Sequence, residues 1–182
     1  SLLRQFGPEN WTLYKGKHLL NFVDNHDVVR IASNLNNEKH LPLIYALLFG
    51  MPGIPCIYYG SEWGAEGKKE HGSDDSLRPC FEAPQCNALT EWIATCAKAH
   101  KESKALCYGD FKSLMLTNKQ FIFERSFEGQ RVLVAVNADG EAYDAHFNAN
   151  AGRARDLLTG QTHDFGGGSK LPPYSAAYWE IY

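Results

Sequence analysis

Between Leu41 and Gly60 the chain runs twenty residues, LPLIYALLFGMPGIPCIYYG, without a charge. That is the length of a membrane span. But Gly50, Pro52, Gly53 and Pro55 fall in its middle, where a spanning helix would lose backbone hydrogen bonds that lipid cannot replace. A buried helix, a turn and a buried strand accommodate the same residues at no such cost. The helix is expected near Leu41 to Gly50, with Asn36-Asn37 offering a cap and Pro42 tolerable in its first turn. The strand is expected over Ile54 to Tyr59.

The flanks fit the same pattern. His18 to Asp24 (HLLNFVD) is apolar without strict alternation, as a strand buried on both faces is. Asn87 caps a helix in which Leu89, Trp92, Ile93, Cys96, Ala97 and His100 recur at i, i+3, i+4, i+7, i+8 and i+11. Strand, helix, strand, helix: these are two βα units of parallel-sheet type. After residues 102–104 the character changes. FKSLMLT, KQFIFERSF, QRVLVAVNA, AYDAHF, RARDLL and AAYWEIY are short β-rich segments set apart by turn signals such as Glu128-Gly129, Asp139-Gly140 and Gly166 to Gly168. Residues 1–102 are therefore read as α/β and 103–182 as a small antiparallel β-sandwich.

Composition bounds what such a chain does. Eighteen basic against twenty-one acidic residues give a charge of −3, with no Lys/Arg cluster; nucleic acid and anionic membranes, which need a basic face, are excluded as partners. The 182 residues are too few for a complete eight-fold βα barrel, which takes about 250. The chain opens SLLRQF, with neither methionine nor a charged-then-apolar leader, and is expected to be cut from something longer. Five cysteines without a CxxC pair argue against zinc or a disulfide framework. Free, mostly buried thiols in a reducing, cytoplasmic compartment are expected.

Two clusters could carry chemistry. Asp24-Asn25-His26-Asp27, with Arg30 beyond, stands at the carboxyl end of the first strand, where parallel α/β architectures face their ligands. The same residue types also suit a strand-end turn. Glu62, Trp63, His71, Asp74, Asp75 and Arg78 lie in the loop after the second strand. Carboxylates, a guanidinium and an aromatic suit a polyhydroxylated ligand, yet an ordinary solvated charge run reads the same way.

Taken together the two clusters resemble a known family. Asn21 to Arg30, NFVDNHDVVR, resembles the strand-seven motif of the α-amylase family of glycoside hydrolases. GIPCIYYGSEWG resembles its strand-eight motif, and Asp74…Arg78 in SDDSLRP matches the spacing of a substrate-contacting Asp and Arg after that strand. A β tail with YGDF, TNKQ, VLVAVN and DLLTG completes the likeness over nearly the whole chain. The resemblance implies the last two βα units of a TIM (β/α)8 barrel followed by the family's C-terminal sandwich. It implies a parent that is a retaining α-glycosidase on α-1,4-glucans or malto-oligosaccharides, with a carboxylate nucleophile and a carboxylic acid flanking an oxocarbenium-like transition state.

By the same resemblance Asp27 matches the transition-state-stabilising carboxylate, which holds the 2- and 3-hydroxyls of the cleaved sugar. His26 matches the imidazole on that sugar, and Asp74 and Arg78 match the groups gripping the next units on the non-reducing side. Glu62 matches a position that braces the loop. Asp24 and Asn25 are expected to pack the strand end, and Arg30 to cap a turn. The family's nucleophile and general acid lie in motifs that would precede Ser1 and are absent here. The chain alone is therefore expected to be catalytically incomplete, with the missing N-terminal part of the barrel as a partner. Its open sheet edges are expected to favour self-association. No cofactor or metal is expected; a calcium site, where the parent has one, would lie outside this chain. The alternative function is a non-catalytic carbohydrate-binding module using Tyr143, Tyr174, Tyr178 and Trp179 as a stacking platform. A catalytically silent amylase-like partner and a metal hydrolase are weaker readings, since the His26-Asp27 and Asp74…Arg78 sets are intact and no His pair has ligand spacing.

Overall fold

The computed structural model describes residues 2–8 and 12–182. A short helix α1 (Leu2–Phe6) leads to strand β1 (Leu20–Asn21), helix α2 (Ile31–Asn34), a 3₁₀ turn over Glu38–His40, helix α3 (Leu41–Gly50) and strand β2 (Ile54–Pro55). Two further 3₁₀ turns, Ser61–Trp63 and Asp75–Leu77, precede helices α4 (Ala88–Glu102) and α5 (Lys104–Tyr108). Strands β1 and β2 pair in parallel, Leu20 opposite Ile54 and Asn21 opposite Pro55. Both are shorter than the apolar runs suggest and neither is buried on both faces: Leu20 is 60%, Phe22 48% and Ile54 53% exposed. A parallel strand is covered only when it has neighbours on both edges and layers on both faces. Here each has one ladder partner.

Helices α3 and α4 follow their sequence signals closely, whereas the short α1, α2 and α5 are additions to the sequence reading. Asn37 serves the 3₁₀ turn rather than α3 itself, its side chain accepting from Lys39 N–H, and Pro42 occupies the first turn of α3. Apolar on nearly every side, α3 buries Leu43, Tyr45, Ala46, Leu48 and Phe49. Asn87 and Thr90 form a capping box at α4: Asn87 Oδ1 accepts from Thr90 N (3.2 Å) while Thr90 Oγ1 accepts from Asn87 N (3.1 Å). Its inward face is Ile93, Cys96 and Ala99. Cys96 is the one fully buried thiol; Cys80 and Cys86 are exposed on the polar loop and Cys56 and Cys107 are half-buried. The expectation of mostly buried cysteines therefore fails.

From residue 110 the chain is antiparallel. Strands β3 (Asp110–Leu116), β4 (Gln120–Phe127), β5 (Gln130–Asn137), β6 (Tyr143–Ala145), β7 (Arg153–Asp156), β8 (Thr162–Asp164), β9 (Ser169–Leu171) and β10 (Ser175–Ile181) follow. They form a six-stranded sheet in the order β3-β4-β5-β10-β7-β8 and a two-stranded sheet β6-β9. Glu128 and Gly129, at φ 48° and 88°, form the two-residue turn that joins β4 to β5, a conformation whose twist suits a hairpin and for which glycine has no steric cost. The three-residue strands β8 and β9, too short and polar to announce themselves, are additions to the sequence reading.

The large sheet is packed on both faces. One side, with Phe111, Phe123, Val132, Val134 and Tyr178, shares a single core with Tyr45, Ala46 and Phe49 of α3, Ile93 and Cys96 of α4 and Leu106 of α5. The other, with Ile122, Leu133, Ala135 and Trp179, packs on Ala145 of β6 and Leu171 of β9. The Tyr178 hydroxyl crosses the junction to donate to Ala46 O. Buried Arg125 of β4 does likewise, donating from Nη1 to Gly50 O (2.9 Å) and from Nη2 to Gly109 O (2.8 Å). This packing takes two of the four aromatics out of the platform of the binding-module reading, Tyr143 and Tyr174 staying half-buried. Tyr178 is wholly enclosed, and Trp179 is buried with its ring stacked on His163 at 4.3 Å between centroids.

Candidate active site

The site lies where β1 and β2 release the chain. After Asn21 the backbone turns through Asp24 to Asp27, tightened by Asn25 Oδ1 accepting from Asp27 N (2.9 Å). Asp24 is buried, and both its oxygens are committed: Oδ1 accepts from Ser61 Oγ (2.7 Å) and Oδ2 from Ile31 N (2.8 Å). One carboxylate thus ties the loop after β1 to the loop after β2. Ser61 O in turn accepts from Tyr45 of α3 (3.0 Å), and burial pushes that phenol well above its usual pKa, with the Asp24 charge adding to the effect.

Arg30 departs from expectation. It stands at the N-cap position of α2 but gives no side-chain cap. Its guanidinium is buried, donating from Nη2 to Tyr59 O (2.5 Å) with its centre 4.5 Å from the Tyr58 ring centroid. A Cβ on Gly60 would lie 2.7 Å from that Nη2. The glycine after the tyrosine pair is thus the space that the guanidinium fills. Arg30 is neither a substrate group nor a turn cap; it pins the two strand ends together.

Above this floor His26, Asp27, Asp74 and Arg78 converge. Arg78 Nη2 lies 3.3 Å from Asp27 Oδ1 and 3.4 Å from Asp74 Oδ2, and its Nε donates to His26 O (3.1 Å). His26 Nε2 is 3.2 Å from Asp27 Oδ2. The distant loop is held in place by Leu77, fully buried in the Asp75–Leu77 turn, and by the Ser76 hydroxyl donating to Lys68 O. All four side chains are largely exposed, so the ion pairs contribute little to stability, about 0–1 kcal/mol each. They hold the carboxylates and the guanidinium in a fixed geometry open to solvent.

The other candidates fall elsewhere. Glu62 O accepts from Thr90 Oγ1 (2.9 Å), joining its turn to α4. Its Oε2 and the Trp63 Nε1 are buried without a hydrogen-bond partner among the described residues. His71 and Asp75 are exposed and form no ion pair with the cluster among the described residues. Beside Arg78 a cavity of about 480 Å³ opens, walled by Tyr59, Trp63 and Phe81. Sequence reasoning missed Ser61, Tyr45 and the burial of Arg30. The YYGS run adjoining Glu62 was the available signal for the first, and nothing local marked the other two.

Residues 8–113 match the family description "Alpha amylase, catalytic domain", and residues 116–181 match "Alpha amylase, C-terminal all-beta domain". The chain belongs to the α-amylase family. Among its relatives, the cyclomaltodextrin glucanotransferase of Bacillus licheniformis is 28% identical over 143 residues, 76% of this chain and 20% of that protein. The enzyme of the same name from Niallia circulans is 28% identical over 116 residues, 64% of this chain and 16% of that protein. The chain thus spans a fifth or less of these relatives. A solved Anoxybacillus α-amylase superposes with TM-score 0.80 at 24% identity, over 90% of this chain and 38% of that one. The γ-cyclodextrin glucanotransferase (γ-CGTase) of alkalophilic Bacillus clarkii does so with TM-score 0.72 at 28% identity, over 90% and 26%. The fold is therefore the end of an α-amylase-family catalytic barrel with its all-β domain.

Proposed function

We propose that this chain supplies part of the active site of a retaining α-glycosidase or glucanotransferase acting on α-1,4-glucans or malto-oligosaccharides, and that it is catalytically incomplete by itself. The observation that carries the reading is the convergence of His26, Asp27, Asp74 and Arg78, which come from two loops about fifty residues apart in sequence. A carboxylate fixed by two neighbours suits vicinal sugar hydroxyls. Such hydrogen bonds speed the reaction only where they tighten as the ring flattens toward the oxocarbenium-like state. In this reading Asp27 takes that role, with His26 on the same sugar. Asp74 and Arg78 present an acceptor and a donor to the next unit, and Glu62 braces the loop through its backbone. Attack on the anomeric carbon and protonation of the leaving oxygen need two further carboxyl groups. These are assigned to the remainder of the barrel, which would seat against the open edges of β1 and β2.

Water as the acceptor gives hydrolysis, and a sugar hydroxyl gives transfer. The four residues here serve either outcome.

Incubating the purified 182-residue chain with maltotetraose should release no glucose above the blank. Adding a barrel segment that carries the two further carboxylates should restore turnover. Release by the chain alone that disappears in Asp27→Asn would overturn the claim of incompleteness.

A further inference from the structure

A second charged site lies on the opposite side of the fold, at the amino ends of β1 and β2. A cavity of about 60 Å³ sits between the Lys15–His18 segment, Pro52-Gly53 and the junction of α5 with β3, and Arg125 forms part of its wall. Arg125 is 1% exposed, and among the described residues no carboxylate lies within ion-pair distance of it. Burial pushes its pKa down to about 10, while Cys107 and Asp110 act in the opposite direction. A guanidinium has five N–H donors. Three are engaged, Nε and Nη2 with Gly109 O and Nη1 with Gly50 O, so each nitrogen has one bond and two N–H groups have no acceptor among the described residues.

The chain brings more positive charge to the same place. Left-handed Gly16 (φ 71°) sits in a turn closed by Lys17 N donating to Tyr14 O (3.0 Å). That turn is fastened to α1 by Leu13 N to Arg4 O (3.1 Å) and Tyr14 N to Gln5 O (3.0 Å). Lys15, Lys17 and His18 are thereby set along the cavity wall, and among the described residues Asp110 is the one acidic side chain lining it. Lys15 Nζ donates to Pro8 O (2.7 Å), and His18 packs edge-on to Tyr108 at 6.0 Å.

We infer that this cavity binds a tetrahedral oxyanion of the phosphate class, with Arg125 at its base and Lys17 and His18 at its rim. The charge decides the sign of the ligand. A buried cation with no carboxylate in direct ion-pair contact is costly, and an anion there would take the remaining N–H donors in charge-assisted bonds. The volume decides its size. A cavity of this measure needs about 10–15 Å³ per water, so this one takes a few non-hydrogen atoms and not a sugar ring. The planar fork of an arginine suits an oxyanion better than a halide. The cavity is separate from the Asp27 cluster, so the inference does not depend on the glycosidase reading.

The test is thermal unfolding of the whole chain in sodium phosphate against sodium chloride at equal ionic strength, with the ³¹P line width of inorganic phosphate as a direct readout. At about ten times the dissociation constant, phosphate should raise the midpoint by roughly 3–5 °C over chloride. The double substitution Lys17→Ala and His18→Ala, both at exposed positions, should keep the fold and abolish most of that rise and of the line broadening. Equal midpoints in the two salts, or an undiminished effect in the double variant, would overturn the site.

Discussion

At the scale of single residues, the two carboxylates three positions apart do opposite work. Asp24 is buried with both oxygens bonded, so it is part of the framework. Asp27 is exposed with its oxygens shared between His26 and Arg78, so it remains available to a ligand. Asp24→Ala should cost about 2–3 kcal/mol, because it leaves the Ile31 N–H and the Ser61 hydroxyl without their partner. Urea unfolding would measure this as a fall in midpoint without a change in slope. Asp27→Asn should leave that midpoint within about 0.5 kcal/mol, as surface substitutions do. In the reconstituted enzyme the same change should lower kcat by about 10²–10³-fold, the scale of losing one group that stabilises a transition state. A loss confined to KM would mean that Asp27 binds ground and transition states equally.

The element scale is set by how α3 and α4 lie on the sheet. A Cβ on Gly50, the last residue of α3, would come within 2.9 Å of Val134 Cγ1 on β5. Gly50→Ala should therefore destabilise by about 1–3 kcal/mol through overpacking. Adding Val134→Ala should cost less in that background than in the native chain, which a double-mutant cycle of unfolding midpoints would show.

On α4, His100 Nδ1 meets Phe49 O at 2.7 Å. Burial lowers its pKa from the ordinary 6.5, with the Phe49 carbonyl opposing. The native state thus binds a proton less readily than the unfolded chain. The stability this gives is complete above pH 6.5 and is lost as pH falls through the depressed native value. Burial lowers the His163 pKa too, so the double variant His100→Asn and His163→Asn should flatten stability against pH below 6.5. An unchanged slope would contradict the assignment.

At the scale of the whole molecule, the helices of the barrel portion and one face of the sandwich share one core rather than touching across an interface. Tyr178 and Arg125 stitch the same boundary with hydrogen bonds. Such a boundary predicts that the two parts unfold together. Far-ultraviolet circular dichroism and tryptophan fluorescence, with Trp63 and Trp92 on one side and Trp179 on the other, should give coincident transitions in urea. Two separated transitions would show the sandwich to be independent. The open side of β1 and β2, where Leu20, Phe22 and Ile54 face outward, stands in contrast. Its apolar side chains are those of a strand expecting cover.

Much of this was legible in the residues. The resemblance of NFVDNHD and SDDSLRP to α-amylase-family motifs pointed to the four residues that meet at the site, while the residues themselves separated α3 from β2 at Gly50 to Pro55 and announced α4 at Asn87. Those signals are local, since caps, turns and periodicity act within a few residues. What only the tertiary structure decided is where side chains distant in sequence end up. It turned Arg30 inward against Tyr58 and Tyr59, enclosed Tyr178 and Trp179, left Leu20 and Ile54 uncovered, and placed Arg125 beside a cavity faced by Lys17 and His18. Burial and electrostatic neighbourhood are properties of packing between distant segments, and no window of sequence contains them.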